Sequence, residues 1–599
     1  MNGSEVKMSK VLLSGDEAVA RGAWEAGVSV AAAYPGTPST EILENMAQYK
    51  DDVYATWANN EKIATEIAIG ASIGGLRAFA AMKHVGMNVA TDPMFTVAYT
   101  GVNGGLMLVT ADDPGAHSSQ NEQDNRLYAP HARMAMLEPS DSQECLDFTK
   151  AAFDISEKFD LVVELRMTTR VCHSKSIVEL GPRQNVPPKK YESNPAKFSM
   201  LPAHARVRHY KVEENLRALA EYSETSPLNK VEHAGSKLGI VASGINYMHA
   251  HEAFGEGVGY LKLGITYPIA ENLVRDFCSK YDEIIVIEEG EPYLENTLKA
   301  MGIKCHGKAE LGPQGELSAS RIREAFGLPG ENDTYESPAQ APNRPPVLCA
   351  GCPHRGFYYS LRKHKDKLVA VGDIGCYALG ASAPFFGFDA GICMGSGFSI
   401  PIGLSLALKA QGDTRKAFGI LGDSTFFHSG FNSLVDAVHQ QADVCLVLLD
   451  NSITAMTGHQ ENAGTEISLM GYEVPAISID KMVAATGLAP ERVRVVDPID
   501  QKAMDEAIEA ALATEGTFVI ITRRPCALLR EVIKARAGRH CEIDADKCKG
   551  CKACMRVACP AMKFADGKAE IVDIANCTAC GLCAQMCKFG AINVVGGAK

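Results

Sequence analysis

"GILGDSTFFHSG" (residues 419–430) and "VLLDNSITAMTG" (447–458) are built alike. Each starts as an apolar run of strand type and stops at an acid, Gly422-Asp423 in the first and Asp450-Asn451 in the second. "KLVAVGDIG" and "GTFVIITRRP" flank the pair as further strands, so residues 347–535 read as an α/β unit. In such a sheet the binding crevice lies at the strand ends. Asp423, the side-chain oxygen of Asn451 and the backbone carbonyl of Ile453 would supply three oxygens there, the donor type that Mg2+ takes in near-octahedral geometry.

The same alternation fills residues 1–180, with "VSVAAAYP", "RAFAAMKH", "GGLMLVTADD" and "DLVVELRM" as strands. Most of them run into a loop bearing Gly, Pro or Asp. Residues 181–235 lose the pattern and read as a connector with one charged helical piece. "KLGIVASGINY", "GVGYLKLGITYP" and "YDEIIVIEEGEP" predict a smaller α/β unit over 236–330. "GLPGENDTYESPAQAPNRPP" (327–346) is a linker by its breakers. In "WANNEKIATEIAIGASIGGLRAFAAMKHVGMN" (57–88), Glu61 opens a helix with Ile63, Ile67 and Ala71 as the expected apolar face and Glu66 on another.

Composition sets outer limits. The chain has 599 residues, 46% hydrophobic and 22% charged, the balance of a globular protein of several domains. A net charge of −13 argues against broad nucleic-acid binding. The N-terminus lacks a secretory pattern, and the uncharged stretch 390–408 carries too much Gly, Ser and Pro for a bilayer span, so a cytoplasmic protein without membrane contact is expected. Nineteen cysteines in that setting point to metal or catalysis rather than to disulfides.

Eight of them fall in "CKGCKACMRVACP" (548–560) and "CTACGLCAQMCKFG" (577–590). A C-x2-C-x2-C loop wraps three thiolates onto one iron–sulfur cubane and takes its fourth ligand from the partner run. That pairing puts Cys548, Cys551, Cys554 and Cys587 on one [4Fe–4S] cluster, and Cys577, Cys580, Cys583 and Cys559 on another. Residues 540–599 thus read as a ferredoxin-like domain of the bacterial 2[4Fe–4S] type. Zinc modules also use C-x2-C, but paired zinc sites rarely add a third cysteine and a trailing Cys-Pro. Two departures stand out: four residues separate Cys554 from Cys559, and Lys588 stands where a proline often follows.

The Gly-Asp and Asp-Asn strand ends resemble the thiamine diphosphate (TPP) motif, GDG followed by NN, with Ser424 and Asp450 as departures. Gly422, Asp423, Ser424, Thr425, Asn451 and Ile453 would then surround the diphosphate and its Mg2+. "AAYPGTPSTEI" carries Thr37, "NNEKIA" carries Glu61, and "TADDPGAHSSQNEQDNR" covers 110–126. With the cysteine-rich tail, these motifs make nearly the whole chain similar to the 2-oxoacid:ferredoxin oxidoreductase family.

The resemblance implies two TPP-binding α/β domains, a smaller α/β domain between them and the ferredoxin-like domain. Glu61 would be the catalytic carboxylate at the aminopyrimidine, with Glu66 as runner-up, and Thr37 would approach the substrate. The implied reaction is oxidative decarboxylation of an arylpyruvate such as indolepyruvate, with coenzyme A and ferredoxin as acceptors, in an anaerobic setting. Pyruvate or branched-chain 2-oxoacids are the alternative substrates; an electron-transfer subunit without its own catalysis is the alternative role. A third [4Fe–4S] cluster near TPP is implied on Cys349, Cys352, Cys376 and Cys526. A smaller beta subunit is the implied partner, with α2β2 as one arrangement.

Other side chains are less marked. His117 and His428 fall near the pocket, whereas His84, His131 and His459 read as structural. Arg126 is a candidate for a substrate carboxylate but reads more readily as solvated surface. Cys145, Cys172, Cys278, Cys305, Cys393 and Cys445 read as core, and Cys541 stays open.

Overall fold

The computed structural model describes residues 9–330, 339–342 and 344–596, so the linker stretch 327–346 lies partly outside the described residues. The chain forms two units, Met1–Pro338 with Leu469–Tyr472, and Ala339–Ser468 with Glu473–Lys599.

The first unit holds a seven-stranded sheet. From edge to edge it runs Ile265–Tyr267, Ala135–Leu137, Val163–Thr168, Leu106–Asp112, Ala78–Lys83, Val30–Ala33 and Tyr54–Trp57. Only the first pair is antiparallel. Every residue of Leu106–Asp112 is buried, as expected for a central parallel strand covered on both faces. Helix Gly15–Glu25 starts with a capping box, in which the Glu17 N–H donates to Ser14 Oγ and the Ser14 N–H to the Glu17 carboxylate. It packs tightly on helix Ser142–Phe159: a Cβ on Gly22 would sit 2.6 Å from the Leu146 carbonyl oxygen.

A second, four-stranded sheet in this unit has the order Glu283–Ile287, Leu238–Ser243, Gly259–Leu263, Lys230–Glu232. The segment "GVGYLKLGITYP", expected within the smaller α/β unit, is split between the two sheets. Gly259–Leu263 stays in the smaller sheet, and Ile265–Tyr267 crosses to the edge of the larger one. The break falls at Gly264, where a Cβ would meet the Leu228 carbonyl oxygen at 2.2 Å. The stretch expected as a connector contains helix Pro202–Ser223, whose Val212, Leu216 and Leu219 are buried in the core of the larger sheet.

Arg126 joins the two sheets. It is fully buried; Nη1 donates to Glu288 Oε2 at 2.7 Å, and Nη2 to Asp124 Oδ2 and the Glu289 carbonyl, both at 2.6 Å. It is therefore neither solvated surface nor a free partner for a substrate carboxylate. Its charge is consumed inside the fold.

The second unit holds a six-stranded, all-parallel sheet in the order Ala390–Gly391, Leu368–Gly372, Lys416–Gly422, Val444–Asp450, Phe518–Arg523, Val493–Val496. The four strands expected from sequence are here, with two short ones at the edges. The uncharged stretch 390–408 forms the edge strand Ala390–Gly391, a turn and most of helix Ser396–Gln411. Among the described residues no helix is long and apolar enough to cross a membrane. The cysteine-rich tail is two antiparallel ribbons, His540–Ile543 with Ile592–Val595 and Met562–Ala565 with Lys568–Ile571.

One buried acid makes stability depend on pH. Glu164 lies on Val163–Thr168; Oε1 accepts from Thr110 Oγ1 at 2.8 Å, and Oε2 has no hydrogen-bond partner. Burial pushes its pKa from an ordinary 4.5 up to about 8. Between those values the folded chain binds more protons than the unfolded chain, so this group's penalty grows as pH rises and is complete above about 8. Glu164→Gln should therefore raise the Tm near pH 9 and leave it almost unchanged near pH 5, as calorimetry across that range will show.

Candidate active site

Strand Lys416–Gly422 ends where a Cβ on Gly422 would lie 2.8 Å from the Tyr377 ring, and Asp423 opens a helical turn beyond it. Asp423 is buried, and its Oδ2 accepts from Asn462 Nδ2 at 3.0 Å. Asn451 follows the adjacent strand Val444–Asp450. Its side-chain oxygen faces the Ile453 carbonyl oxygen at 2.8 Å and Asp423 Oδ1 at 3.2 Å. Turning the amide over would let its nitrogen donate to both. With the oxygen inward, three acceptors converge, and a cation among them satisfies all three. Oxygens at adjacent corners of a Mg2+ octahedron are about 2.9 Å apart, close to both separations. Burial, then the charge of Asp450, pushes Asp423 up to about 7, a shift that a divalent cation beside it would reverse.

Ser424 Oγ accepts from Thr454 Oγ1 at 2.9 Å, and Thr425 Oγ1 lies 3.1 Å from the Tyr377 hydroxyl. Gly422, Asp423, Ser424, Thr425, Asn451 and Ile453 thus share one corner. Sequence reading missed two neighbours. His354, buried and driven down to about 4 by burial, has Nε2 3.5 Å from Asn451 Nδ2. Asp373 accepts from the Gly395 and Gly397 N–H groups at 2.8 and 3.3 Å. It ends a strand as Gly372-Asp373, the same signal that marks Gly422-Asp423.

A cavity of about 220 Å3 adjoins this corner. Asn451 and His354 line it together with Cys349, Cys352, Cys376 and Cys526. Four thiols from three separate segments around one cavity are a complete ligand set for a cubane. His459 lines it too, with Nε2 3.6 Å from Cys526 Sγ, a placement that its sequence context does not suggest.

In the tail, Cys548, Cys551, Cys554 and Cys587 line one small cavity. Cys559 and Cys580 are electrostatic neighbours, and Cys577, Cys580 and Cys583 lie around Cys541. The Cys541 N–H donates to Cys577 Sγ at 3.2 Å. Cys145, Cys172, Cys278 and Cys445 are buried as expected, and Cys305 is half-buried. Cys393 is exposed instead of core, because it sits in the turn before helix Ser396–Gln411, where its N–H donates to Ser396 Oγ.

The first unit gathers a different set. Thr37 is half-buried in the loop after Val30–Ala33. Glu61 is buried at the start of helix Glu61–Ile73, whose cap is Asn60 Oδ1 accepting from the Ile63 N–H at 2.9 Å. A Cβ on Gly86 would lie 2.8 Å from Glu61 Oε1. Lys83 ties the two regions: its stem passes the bare Cα of Gly36, beside Thr37, and its ammonium feels the Glu61 charge. Glu66 is exposed and paired with Lys62.

This helix buries Ala64, Thr65, Ala68 and Ser72, and Ile63 is 38% exposed. Of the expected apolar face, Ile67 and Ala71 pack partly buried against this core and only Ile63 does not. Close packing on Ala78–Lys83 and helix His84–Thr100 admits only small side chains. His117 is exposed, 3.6 Å from Glu316 Oε2, and His428 is buried in the π-turn Phe426–Gly430.

Residues 21–235 match the family described as "Pyruvate flavodoxin/ferredoxin oxidoreductase, thiamine diP-bdg", and 373–522 match "Thiamine pyrophosphate enzyme, C-terminal TPP binding domain". Each unit thus contains one TPP-binding α/β domain. The Methanothermobacter thermautotrophicus protein named indolepyruvate oxidoreductase subunit IorA is 41% identical over 98% of each chain. Its Archaeoglobus fulgidus namesake is 40% identical over 97% of each. The 2-oxoglutarate synthase subunit KorA of Archaeoglobus fulgidus is 27% identical over 47% of this chain and 88% of its own.

Proposed function

This chain belongs to the family of indolepyruvate oxidoreductase IorA subunits, and on that premise we propose that it decarboxylates an arylpyruvate oxidatively, yielding an aryl-acetyl-CoA, CO2 and reduced ferredoxin. It is an oxidoreductase with two TPP-binding domains. When bound, TPP supplies the nucleophile for the 2-keto carbon and a sink for the electron pair released with CO2. Asp423, Asn451 and the Ile453 carbonyl would hold Mg2+ against the diphosphate, with Gly422, Ser424 and Thr425 lining that corner. Glu61 would share a proton with the aminopyrimidine ring, in the positive field of a helix N-terminus and the Lys83 ammonium. Thr37 would face the substrate.

Iron–sulfur clusters take one electron at a time, so a pair released together needs a relay. Cys349, Cys352, Cys376 and Cys526 would hold its first member. The sets of Cys559, Cys577, Cys580, Cys583 and of Cys548, Cys551, Cys554, Cys587 would carry current to ferredoxin. A smaller subunit would complete the cytoplasmic enzyme, and coenzyme A would take the acyl group. One observation carries this reading: Asn451 belongs both to the oxygen corner and to the wall of the cysteine cavity. Electron exit would then begin where the cofactor is held. A docking scaffold without catalysis has no use for that coincidence.

Anaerobic purification with the smaller subunit, followed by iron, sulfide and thiamine analysis, tests it. Three clusters require about twelve iron atoms per chain, two about eight. Asp423→Ala should lose bound TPP and lower the kcat of ferredoxin reduction by at least about 100-fold, with iron retained. Full activity in that variant would leave an electron-transfer scaffold. Gly86→Ala should displace the Glu61 carboxylate and lower kcat by about 10- to 100-fold with TPP still bound. A panel of arylpyruvates, pyruvate and branched-chain 2-oxoacids will rank substrates by kcat/KM.

A further inference from the structure

Arg355 lies on helix His354–Leu361, three residues beyond Cys352, and is 2% exposed. Its Nε donates to the Cys349 carbonyl at 2.8 Å and its Nη2 to the Leu348 carbonyl. Its Nη1 donates to the Val557 carbonyl at 3.1 Å and to that of Ala558. All four acceptors are neutral backbone oxygens on two loops. One loop carries Cys349 and Cys352, and the other leads directly into Cys559.

Among the described residues no carboxylate is paired with this guanidinium. Burial pulls its pKa down, and the groups whose ionised form would act on it most are Cys352, Cys559, Cys349 and Cys580. A buried guanidinium without a counter-ion is costly, and neutral thiols do not offset it. A cubane on four thiolates does, with a net charge of about −2 when oxidised and −3 when reduced. The two loops are also drawn tight. Gly351 has φ +69°, and a Cβ there would lie 1.9 Å from the Oγ1 of Thr578, which stands between Cys577 and Cys580. Ala350 is buried in one cluster with Cys554, Cys577 and Cys583.

We propose that Arg355 is the positioning residue of the electron path: it fixes the Cys349–Cys352 loop to the Cys559 loop and is the shared counter-charge of the two clusters they would hold. This rests on the cluster reading above. Cys349, Cys352, Cys376 and Cys526 would hold the cluster that gives up one electron, and Cys559, Cys577, Cys580 and Cys583 the cluster that accepts it. The first would be oxidised as the second is reduced, with no bond made or broken and no proton moved. A fixed positive charge favours the more negative, reduced state of both, so it holds both potentials above the values they would have without it. The cysteines that act most strongly on Arg355 all belong to these two sets and none to Cys548, Cys551, Cys554 and Cys587, so the third cluster should feel the charge less.

The test is an EPR-monitored redox titration of the anaerobically purified holoenzyme, wild type against R355Q and R355K, with iron counted in each. In R355Q the two flanking clusters should shift to lower potential, and by more than the third. Ferredoxin reduction should slow several-fold with an unchanged KM for the 2-oxoacid. R355K, which keeps the charge but loses the fork that grips both loops, should hold both potentials near wild type. Full iron with unmoved potentials in R355Q, or an equal shift of all three clusters, would overturn the proposal. If R355Q sheds iron, R355K decides: near-wild-type potentials sustain the shared charge, and potentials lowered in only one flanking cluster refute it. Wild-type protein holding zinc at these cysteines would overturn the cluster reading instead.

Discussion

Three oxygens that can only accept meet at the ends of two neighbouring strands, and the second unit is arranged around that meeting. Asp423, Asn451 and the Ile453 carbonyl are within 3.2 Å of one another through the Asn451 side-chain oxygen. Parallel strands make this possible, because their carboxyl ends leave the sheet along one edge and bring distant residues side by side. Gly422 keeps the turn narrow enough for Tyr377 to close over it. Asp373, on the next strand over, ties down the Gly395–Gly397 loop from the same edge. The corner is rigid before any ligand arrives, which is the condition for holding a small cation in strict geometry.

Sulfur is organised at two ranges. In the tail, Cys548, Cys551 and Cys554 are brought together by the local course of the chain, and only Cys587 is delivered from afar by the ribbon His540–Ile543 with Ile592–Val595. The other set is assembled from three segments, with Cys349 and Cys352 before helix His354–Leu361, Cys376 after strand Leu368–Gly372 and Cys526 after strand Phe518–Arg523. Spacing reveals the first kind of site, since a tight loop repeats wherever it is used. The second has no local signature beyond one C-x2-C, and it was legible only through family resemblance.

Where expectation and structure part, packing distance or a long-range partner is the cause. Ile63 has the right period for a buried face, yet the helix turns Ala64 and Ala68 fully inward and leaves Ile67 and Ala71 partly buried, because strand and helix lie too close for larger side chains. Arg126 looks like a solvated or substrate-facing cation until Glu288, far along the chain, appears opposite it. "GVGYLKLGITYP" reads as part of the smaller unit because nothing in it announces that the chain crosses to the larger sheet at Gly264, which passes Leu228 without a side chain. Cys393 and His459 exchange expected roles, one exposed in a turn and the other lining a cavity.

The amino-acid order alone determined the strands, the oxygen corner at residues 422–425 and 451–453, and the three-cysteine loops of the tail. Each of these is written in contiguous residues whose local geometry follows from their own chemistry. Tertiary structure decided which helix face is buried, which thiols surround the cavity beside Asn451, and which charges cancel inside the fold. Those outcomes depend on separations between segments, and burial gives such separations their energy by removing the water that would otherwise stand in for a missing partner.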